Sequence, residues 1–201
     1  MQKQAATQYP VHELIRDRWS PRAFSEEPVS AEILQSLFEA ARWAPSSNNE
    51  QPWAFLVGIQ GEGDTFNKIL GTLVEANQTW AKRAPVLVIA VSELAFAKKG
   101  HPNRNAFYDT GAAVSQLTTE ATSRGLFVHQ MAGFDPHKVI EAFAIPNGWE
   151  PIAVLALGYA GDPQTLPDAL RERELAPRTR KPLREFVMSG QWGQAAPFAQ
   201  E

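Results

Sequence analysis

The stretch Pro85–Ser92, PVLVIAVS, is an almost continuous apolar run near the middle of the chain. Runs of this kind are typical of strands that are covered on both faces of a sheet, since half-exposed strands alternate apolar and polar residues. The sequence therefore predicts a central strand at residues 85–92. Two further apolar runs, residues 53–59 and 151–160, also read as strands.

Between these runs, apolar residues recur at helical spacing. The predicted helices are residues 10–18 with Val11, Leu14 and Ile15 facing inward, 30–43 with Ser30 as N-cap, a long helix from Asp64 to about Lys82, 105–124 with Gly125 as its stop, and 136–143 with Asp135 as N-cap. Helices thus alternate with strands, which indicates a mixed α and β architecture. Beyond Gly161 the composition changes, and the sequence predicts an extended C-terminal arm rich in Pro and Arg.

Length and composition bound the classes of protein that fit. A chain of 201 residues with 44% hydrophobic content favours one domain, residues 1–201, with residues 162–201 as its arm. A net charge of -3 gives no general attraction to nucleic acid or anionic membranes. The absence of cysteine excludes disulfides, thiolate metal ligands and a cysteine nucleophile. No run has the length of a membrane span or signal peptide, so we expect a soluble, cytoplasmic protein.

Six polar residues, Ser46–Gln51, lie between the predicted helix 30–43 and the strand 53–59. Loops are polar by default, and this is the simplest interpretation of the segment. However, each Asn or Gln amide offers two donors and an acceptor in one plane. Such groups can recognise the edge of a flat heterocycle.

Arginine is concentrated near both ends of the chain. The segment RDRWSPR contains Arg16, Arg18 and Arg22, and the segment RERELAPRTRKPLR carries six positive residues against Glu172 and Glu174. Guanidinium groups match phosphate oxygens bidentately, and Ser20 adds a hydroxyl donor. These segments therefore indicate a local anion-binding site, although a solvated charged tail would explain the second segment equally well.

Other motifs are absent or incomplete. The run GIQGEGD departs from the dinucleotide-binding fingerprint and reads as a surface loop. The four histidines, His12, His101, His129 and His137, lack metal-ligand spacing, so no metal site is predicted. The chain has no G-x-S-x-G element for a serine nucleophile.

Five motifs in order resemble the FMN-dependent nitroreductase family over residues 12–188. The matching segments are RxSxR at Arg18–Arg22, APSSNNEQPW at Ala44–Trp53, MAGFD at Met131–Asp135, LGY at Leu157–Tyr159 and RTRKPL at Arg178–Leu183. This resemblance implies an α+β, nitroreductase-like fold with a central, mostly antiparallel sheet flanked by helices. It also implies an intertwined homodimer with FMN at the subunit interface and NAD(P)H as co-substrate.

The resemblance also implies roles for individual residues. The residues expected to hold the phosphate and ribityl chain are Arg18, Ser20, Arg22, Arg178 and Arg180. Asn77 matches a residue that faces the pyrimidine edge of the flavin. The loop expected from the partner subunit comprises Pro45, Ser46, Ser47 and Asn49. The backbone of Met131, Ala132 and Gly133 matches the segment near flavin N5.

The activity implied is reduction of a nitroaromatic, quinone or related acceptor by NAD(P)H. Alternatives on the same fold are reduction of an enal or semialdehyde, dehydrohalogenation of an aromatic ring, and flavin binding without turnover. No protein side chain is expected to be an essential proton donor, because the matching segments contain no carboxylate or histidine pair. The sequence leaves open the acceptor, the choice of NADH or NADPH, and whether His129 touches the flavin.

Overall fold

A computed structural model describes residues 3–98 and 100–200 of the chain. Its sheet contains β1 (Trp53–Ile59), β2 (Val86–Glu93), β3 (Phe127–Met131) and β4 (Trp149–Gly158). The strands are ordered β1-β2-β4-β3, and every neighbouring pair is antiparallel. The predicted α+β class, the antiparallel sheet and the central position of residues 85–92 are thus confirmed.

Helices lie on both sides of this sheet. They are α1 (Glu13–Asp17), α2 (Ala31–Arg42), α3 (Thr65–Thr72), α4 (Glu75–Ala81), α5 (Ala106–Ser123), α6 (Pro136–Phe143) and α7 (Asp168–Leu175). The predicted caps are confirmed, because Ser30 Oγ accepts the Ile33 amide at 3.3 Å and Asp135 Oδ1 accepts the His137 amide at 3.0 Å. In the part of the chain that the structure describes, no helix combines the length and apolar character of a membrane span.

Two hydrophobic cores explain the apolar run in β2. On one face, alternate residues from Val86 to Ala90 pack with α2 and α5. On the other face, alternate residues from Leu87 to Val91 pack with α3, α4 and α6. Since both sets of side chains are buried, the strand carries no polar alternation.

The predicted orientation of the first helix is wrong. Helix α1 is only five residues long and contains no buried residue; Ile15 is 61% exposed and Val11 is exposed too. The helical spacing of its apolar residues is real, but in the described chain Val11 and Ile15 stay exposed, whereas Leu14 is partly buried.

The predicted continuous helix from Asp64 to about Lys82 is also wrong, because the helix is interrupted at Leu73, between α3 and α4. Leu73 has extended backbone angles and pairs with Phe134, while the Val74 amide donates to the Gly133 carbonyl at 3.0 Å. The apolar periodicity continues through the break because α3 and α4 pack into the same core. The backbone hydrogen bonds formed around Leu73 with the segment after β3 thus replace those of a continuous helix.

The C-terminal arm is not extended throughout, since it forms α7 and short 3-10 turns at residues 163–165 and 183–185. Leu166 is buried in the core beside α3 and α4, and Leu170 packs against that core. No helix was predicted at α7, because charged residues outnumber apolar ones there. Contacts with the body of the domain fix this helix.

Candidate functional site

The loop Arg18–Arg22 lies alongside the edge strand β3. His129 of β3 donates from Nδ1 to the Pro21 carbonyl at 2.7 Å, a direction that follows because a carbonyl only accepts. Trp19 is buried and packs edge-on against Phe127, with ring centroids 5.8 Å apart. Backbone and tryptophan contacts thus fix the loop.

The predicted arginines of the two chain ends come together. Arg178 donates to the carbonyls of Lys3 and Arg16, both at 2.9 Å, which brings the late segment against the early one. Burial lowers the pKa of Arg18, and the nearby Arg178 and Arg180 lower it further. Burial and Arg180 also lower the pKa of Arg178. The guanidinium groups therefore lie close enough to repel one another.

In the described chain, the predicted phosphate-binding arginines are not held by salt bridges. Among the residues that the structure describes, none of Arg18, Arg22, Arg178 and Arg180 forms a salt bridge, whereas the neighbouring Arg16 pairs with Asp17 at 2.8 Å. Ser20 contributes a hydroxyl 3.4 Å from the Arg18 guanidinium. Clustered guanidinium groups beside a hydroxyl have the chemistry of a phosphate site, since an anion relieves their repulsion and accepts their hydrogen bonds. The residues present thus fit the phosphate of a cofactor such as FMN.

Two residues of this region were not predicted from the sequence. Glu174 of α7 is 1% exposed, and its carboxylate accepts the backbone amides of Arg22 at 2.9 Å and Ala23 at 3.1 Å. Lys3 donates to the Glu174 carbonyl and lies 5.2 Å from the centre of the Trp19 ring. No local sequence pattern indicates the contacts of Glu174, because its partners Lys3, Arg22 and Ala23 all lie more than 150 positions away.

A second predicted pair also meets in space. Asn77 of α4 donates from Nδ2 to the Gly133 carbonyl at 3.0 Å. A methyl group at Gly133 would lie only 2.6 Å from that nitrogen, so the glycine permits the contact. Met131 buries its side chain in the core, while Ala132 is exposed. The side chain of Met131 is therefore not available to a ligand.

The polar loop adopts an unusual backbone. Asn48, Asn49 and Gln51 have φ values of 55°, 56° and 53°, in the left-handed region that Asn tolerates better than most residues. The Ser47 amide donates to Asp109 of α5 at 2.9 Å, and the Gln51 amide donates to Ser46 Oγ at 3.0 Å. Backbone in this region costs free energy, and such segments concentrate at functional sites.

The structure does not bring this loop to the arginine cluster. The loop Pro45–Asn49 precedes β1 at one edge of the sheet, whereas the loop Arg18–Arg22 lies beside β3 at the opposite edge. Neighbouring strands lie about 4.8 Å apart, so three spacings separate the edge strands by about 14 Å. The buried strands β2 and β4 and their helices fill this gap.

His129 is neutral at physiological pH. Burial lowers its pKa to about 4, and the charge of Arg22 acts in the same direction, although hydrogen bonding to the Pro21 carbonyl opposes both. Its ring also packs against Trp80 with centroids 4.6 Å apart. Through these contacts the imidazole of His129 stabilises the loop Arg18–Arg22.

Comparison with known proteins identifies the class. Residues 15–70 and 58–159 match the model of the Nitroreductase family. A protein of Stenotrophomonas maltophilia (strain K279a) named "Putative NADH dehydrogenase/NAD(P)H nitroreductase" is 31% identical over 172 residues, which are 77% of this chain and 86% of that protein. The chain belongs to the nitroreductase family and is an oxidoreductase enzyme.

Solved structures agree with this assignment. A crystal structure described as an oxidoreductase containing FMN superposes with a TM-score of 0.89 and 36% identity, covering 94% of this chain and 96% of that one. A nitroreductase family protein from Clostridium difficile 630 superposes with a TM-score of 0.70 and 25% identity, covering 91% and 99% of the two chains. Both similarities extend over nearly the whole domain.

The lowered pKa of His129 predicts a pH-dependent stability. Between pH 6.5 and about 4 the unfolded chain binds the proton that the folded chain rejects, so the free energy of unfolding falls as the pH falls through this window. In the variant His129→Asn, which keeps an N–H donor but does not titrate, thermal unfolding measured between pH 7 and pH 4.5 should depend less steeply on pH. The exposed His137→Asn is the control, and equal slopes for all three proteins would contradict the assignment.

The arginine cluster predicts a graded loss of FMN affinity. Arg18→Ala and Arg180→Ala should each weaken FMN binding by roughly ten- to a hundredfold, the usual contribution of a charge-assisted contact. Arg171→Ala should have little effect, because Arg171 pairs with Asp168 at 2.7 Å on α7. Titration of flavin-free protein with FMN measures all three affinities, and equal values would reject the phosphate site.

Proposed function

We propose that this oxidoreductase binds FMN between two copies of the chain and uses NAD(P)H to reduce a nitroaromatic, quinone or related acceptor. The observation that carries the proposal is the cluster of the Arg18, Arg178 and Arg180 guanidinium groups, none of which forms a salt bridge within the described part of the chain. Similarity to an FMN-containing oxidoreductase over 94% of the chain supports FMN as the phosphate-bearing ligand.

Arg18, Arg22, Arg178 and Arg180 would hold the phosphate, and Ser20 would donate to it or to the ribityl chain. When bound, FMN accepts hydride from NAD(P)H and passes electrons to the acceptor. The hydrogen bond between Asn77 and Gly133 supports a common role for α4 and the segment after β3, which would orient the ring. Correct alignment of the reacting atoms can lower the barrier by several kcal/mol.

Two features support a homodimer. The polar loop and the arginine cluster lie at opposite edges of the sheet, so one ligand that contacts both would take them from different chains. Large apolar side chains are also exposed on α1 and the C-terminal arm, including Ile15 at 61% and Trp192 at 92%. A two-fold symmetric pair would cover such surfaces and create two equivalent sites.

Protons for the reduction would come from water. His129 is neutral, and its Nδ1–H is used by the Pro21 carbonyl. Asp135 caps α6 through the amides of His137 and Lys138. Both residues thus have structural partners, which supports a mechanism without an essential side-chain acid.

A cavity beside the polar loop supports an aromatic acceptor. Its volume is about 530 Å³, and it is lined by Asn48, Asn49, Glu50, Phe96, Ala97, Lys98 and His101. The rings of Phe96 and His101 pack edge-on with centroids 4.8 Å apart. Amides on one wall and aromatic rings on the other suit a flat acceptor with polar substituents.

The cytoplasm is the compartment that we propose for this protein, because the cysteine-free composition fits it.

The proposal predicts both the cofactor and turnover. Heat-released cofactor should run as FMN on chromatography, and the holoprotein should oxidise NADH or NADPH when nitroaromatics or quinones are supplied. If one pocket serves both substrates in turn, double-reciprocal plots at several acceptor concentrations should give parallel lines. FAD as the sole cofactor would overturn the assignment. Bound FMN without NAD(P)H oxidation would instead indicate a flavin-binding protein.

A further inference from the structure

We propose that Glu174 is a positioning residue that holds the loop Arg18–Arg22 in the conformation that receives the cofactor phosphate. This inference rests on the proposed function and extends it to a residue outside every matching motif. Glu174 lies on α7, four residues before Arg178, and its side chain is almost completely buried.

The carboxylate is bound by consecutive backbone amides. The Arg22 amide donates to both oxygens, at 2.9 and 3.1 Å, and the Ala23 amide donates to Oε1 at 3.1 Å. A buried amide that loses its acceptor is destabilising, and hydrogen bonds to a charged group are stronger than neutral ones. The Glu174 carboxylate therefore fixes the backbone at the point where the Arg22 side chain leaves the loop.

The same contact sets the position of the late arginines. Helix α7 ends at Leu175, and Arg178 reaches the Arg16 carbonyl at 2.9 Å. Anchoring α7 to the loop through Glu174 keeps this short connection in place. One side chain thus fixes the position of the loop Arg18–Arg22 relative to the segment that carries Arg178.

Glu174 does not itself pair with the cations. Both Glu174 oxygens bind backbone amides, and the carboxylate forms no salt bridge with an arginine in the described ranges. Burial lowers the pKa of Lys3, the charge of Glu174 opposes this shift, and Arg178 and Arg22 lower that pKa further. The carboxylate thus fixes the loop without occupying the hydrogen-bond donors of the arginines.

The test is Glu174→Gln, which keeps the side-chain shape but turns one acceptor into a donor that faces a backbone amide. The matched control is Glu172→Gln, because Glu172 is exposed on the same helix. Affinities for FMN and for riboflavin, which lacks the phosphate, are measured by titration of flavin-free protein. We expect Glu174→Gln to lower FMN affinity about tenfold and riboflavin affinity by less than about twofold. The control should bind both as the unmodified chain does.

A double-variant cycle shows whether Glu174 acts through the arginines. If it does, the losses caused by Glu174→Gln and Arg18→Ala should not add in the combined variant. Equal losses for FMN and riboflavin, or fully additive losses, would overturn the positioning role. A wild-type protein that binds neither flavin would instead contradict the proposed function.

A measurement on the unmodified chain covers the case in which Glu174→Gln fails to fold. Amide hydrogen exchange is followed with FMN and with riboflavin bound. We expect FMN to slow exchange at Arg22, at Ala23 and in α7 more than riboflavin does, because the phosphate stabilises the loop that Glu174 ties to α7. Equal protection of these amides by the two ligands would contradict the proposal.

Discussion

The burial of β2 and β4 between two helical layers is the constraint on which the rest of the structure depends. It produces the unbroken apolar sequence of β2, and it separates the edge strands β1 and β3 by about 14 Å of packed core. The arginine loop is attached to the β3 edge, and the polar loop precedes β1. In the proposed homodimer, a site built from both loops would therefore take one loop from each chain.

In the described chain, the positive charge of the arginine cluster at the β3 edge is left without salt bridges because of the groups that bind the backbone there. Carbonyl groups accept from Arg178 and from His129, and a buried carboxylate accepts the amides at Arg22 and Ala23. These neutral or fully engaged partners fix the loop without forming salt bridges to its cations. The resulting concentration of positive charge is unfavourable in an empty site and favourable when an anion is present. The polar loop is held in a comparable way, because the buried Asp109 accepts the Ser47 amide.

The sequence predicted the elements whose signals are local. Apolar runs located β1, β2 and β4, and the cap residues Ser30 and Asp135 located two helix starts. The motif RxSxR and the late arginines predicted an anion-binding site, and the structure places Arg18, Arg178 and Arg180 near one another. The break at Leu73 was missed because it depends on pairing with residues near Gly133, about sixty positions away. Glu174 was missed for the same reason, since its partners lie about 150 positions earlier.

The exposed apolar residues of α1 show a different limit of sequence analysis. Periodicity indicates which residues form an apolar face, but it does not tell whether a surface of the same chain covers that face. Ile15 has no such cover within the described chain, and the proposed dimer would supply it. The same ambiguity applies to the polar loop, which lies at the opposite edge of the sheet from the loop Arg18–Arg22 of its own chain.

The most direct test of the account is the flavin content of a mixed dimer. One chain carries Arg18→Ala and Arg180→Ala, and the other carries Ser47→Ala and Asn49→Gly, where glycine tolerates the positive φ of residue 49. Differently tagged chains are co-expressed, and FMN is counted per purified dimer. If each site takes its arginines and its polar loop from different chains, each variant homodimer should lose FMN. The mixed dimer should then retain about one FMN, because one of its two sites is fully wild type. A mixed dimer that binds as little FMN as the variant homodimers would show that both parts of each site come from the same chain.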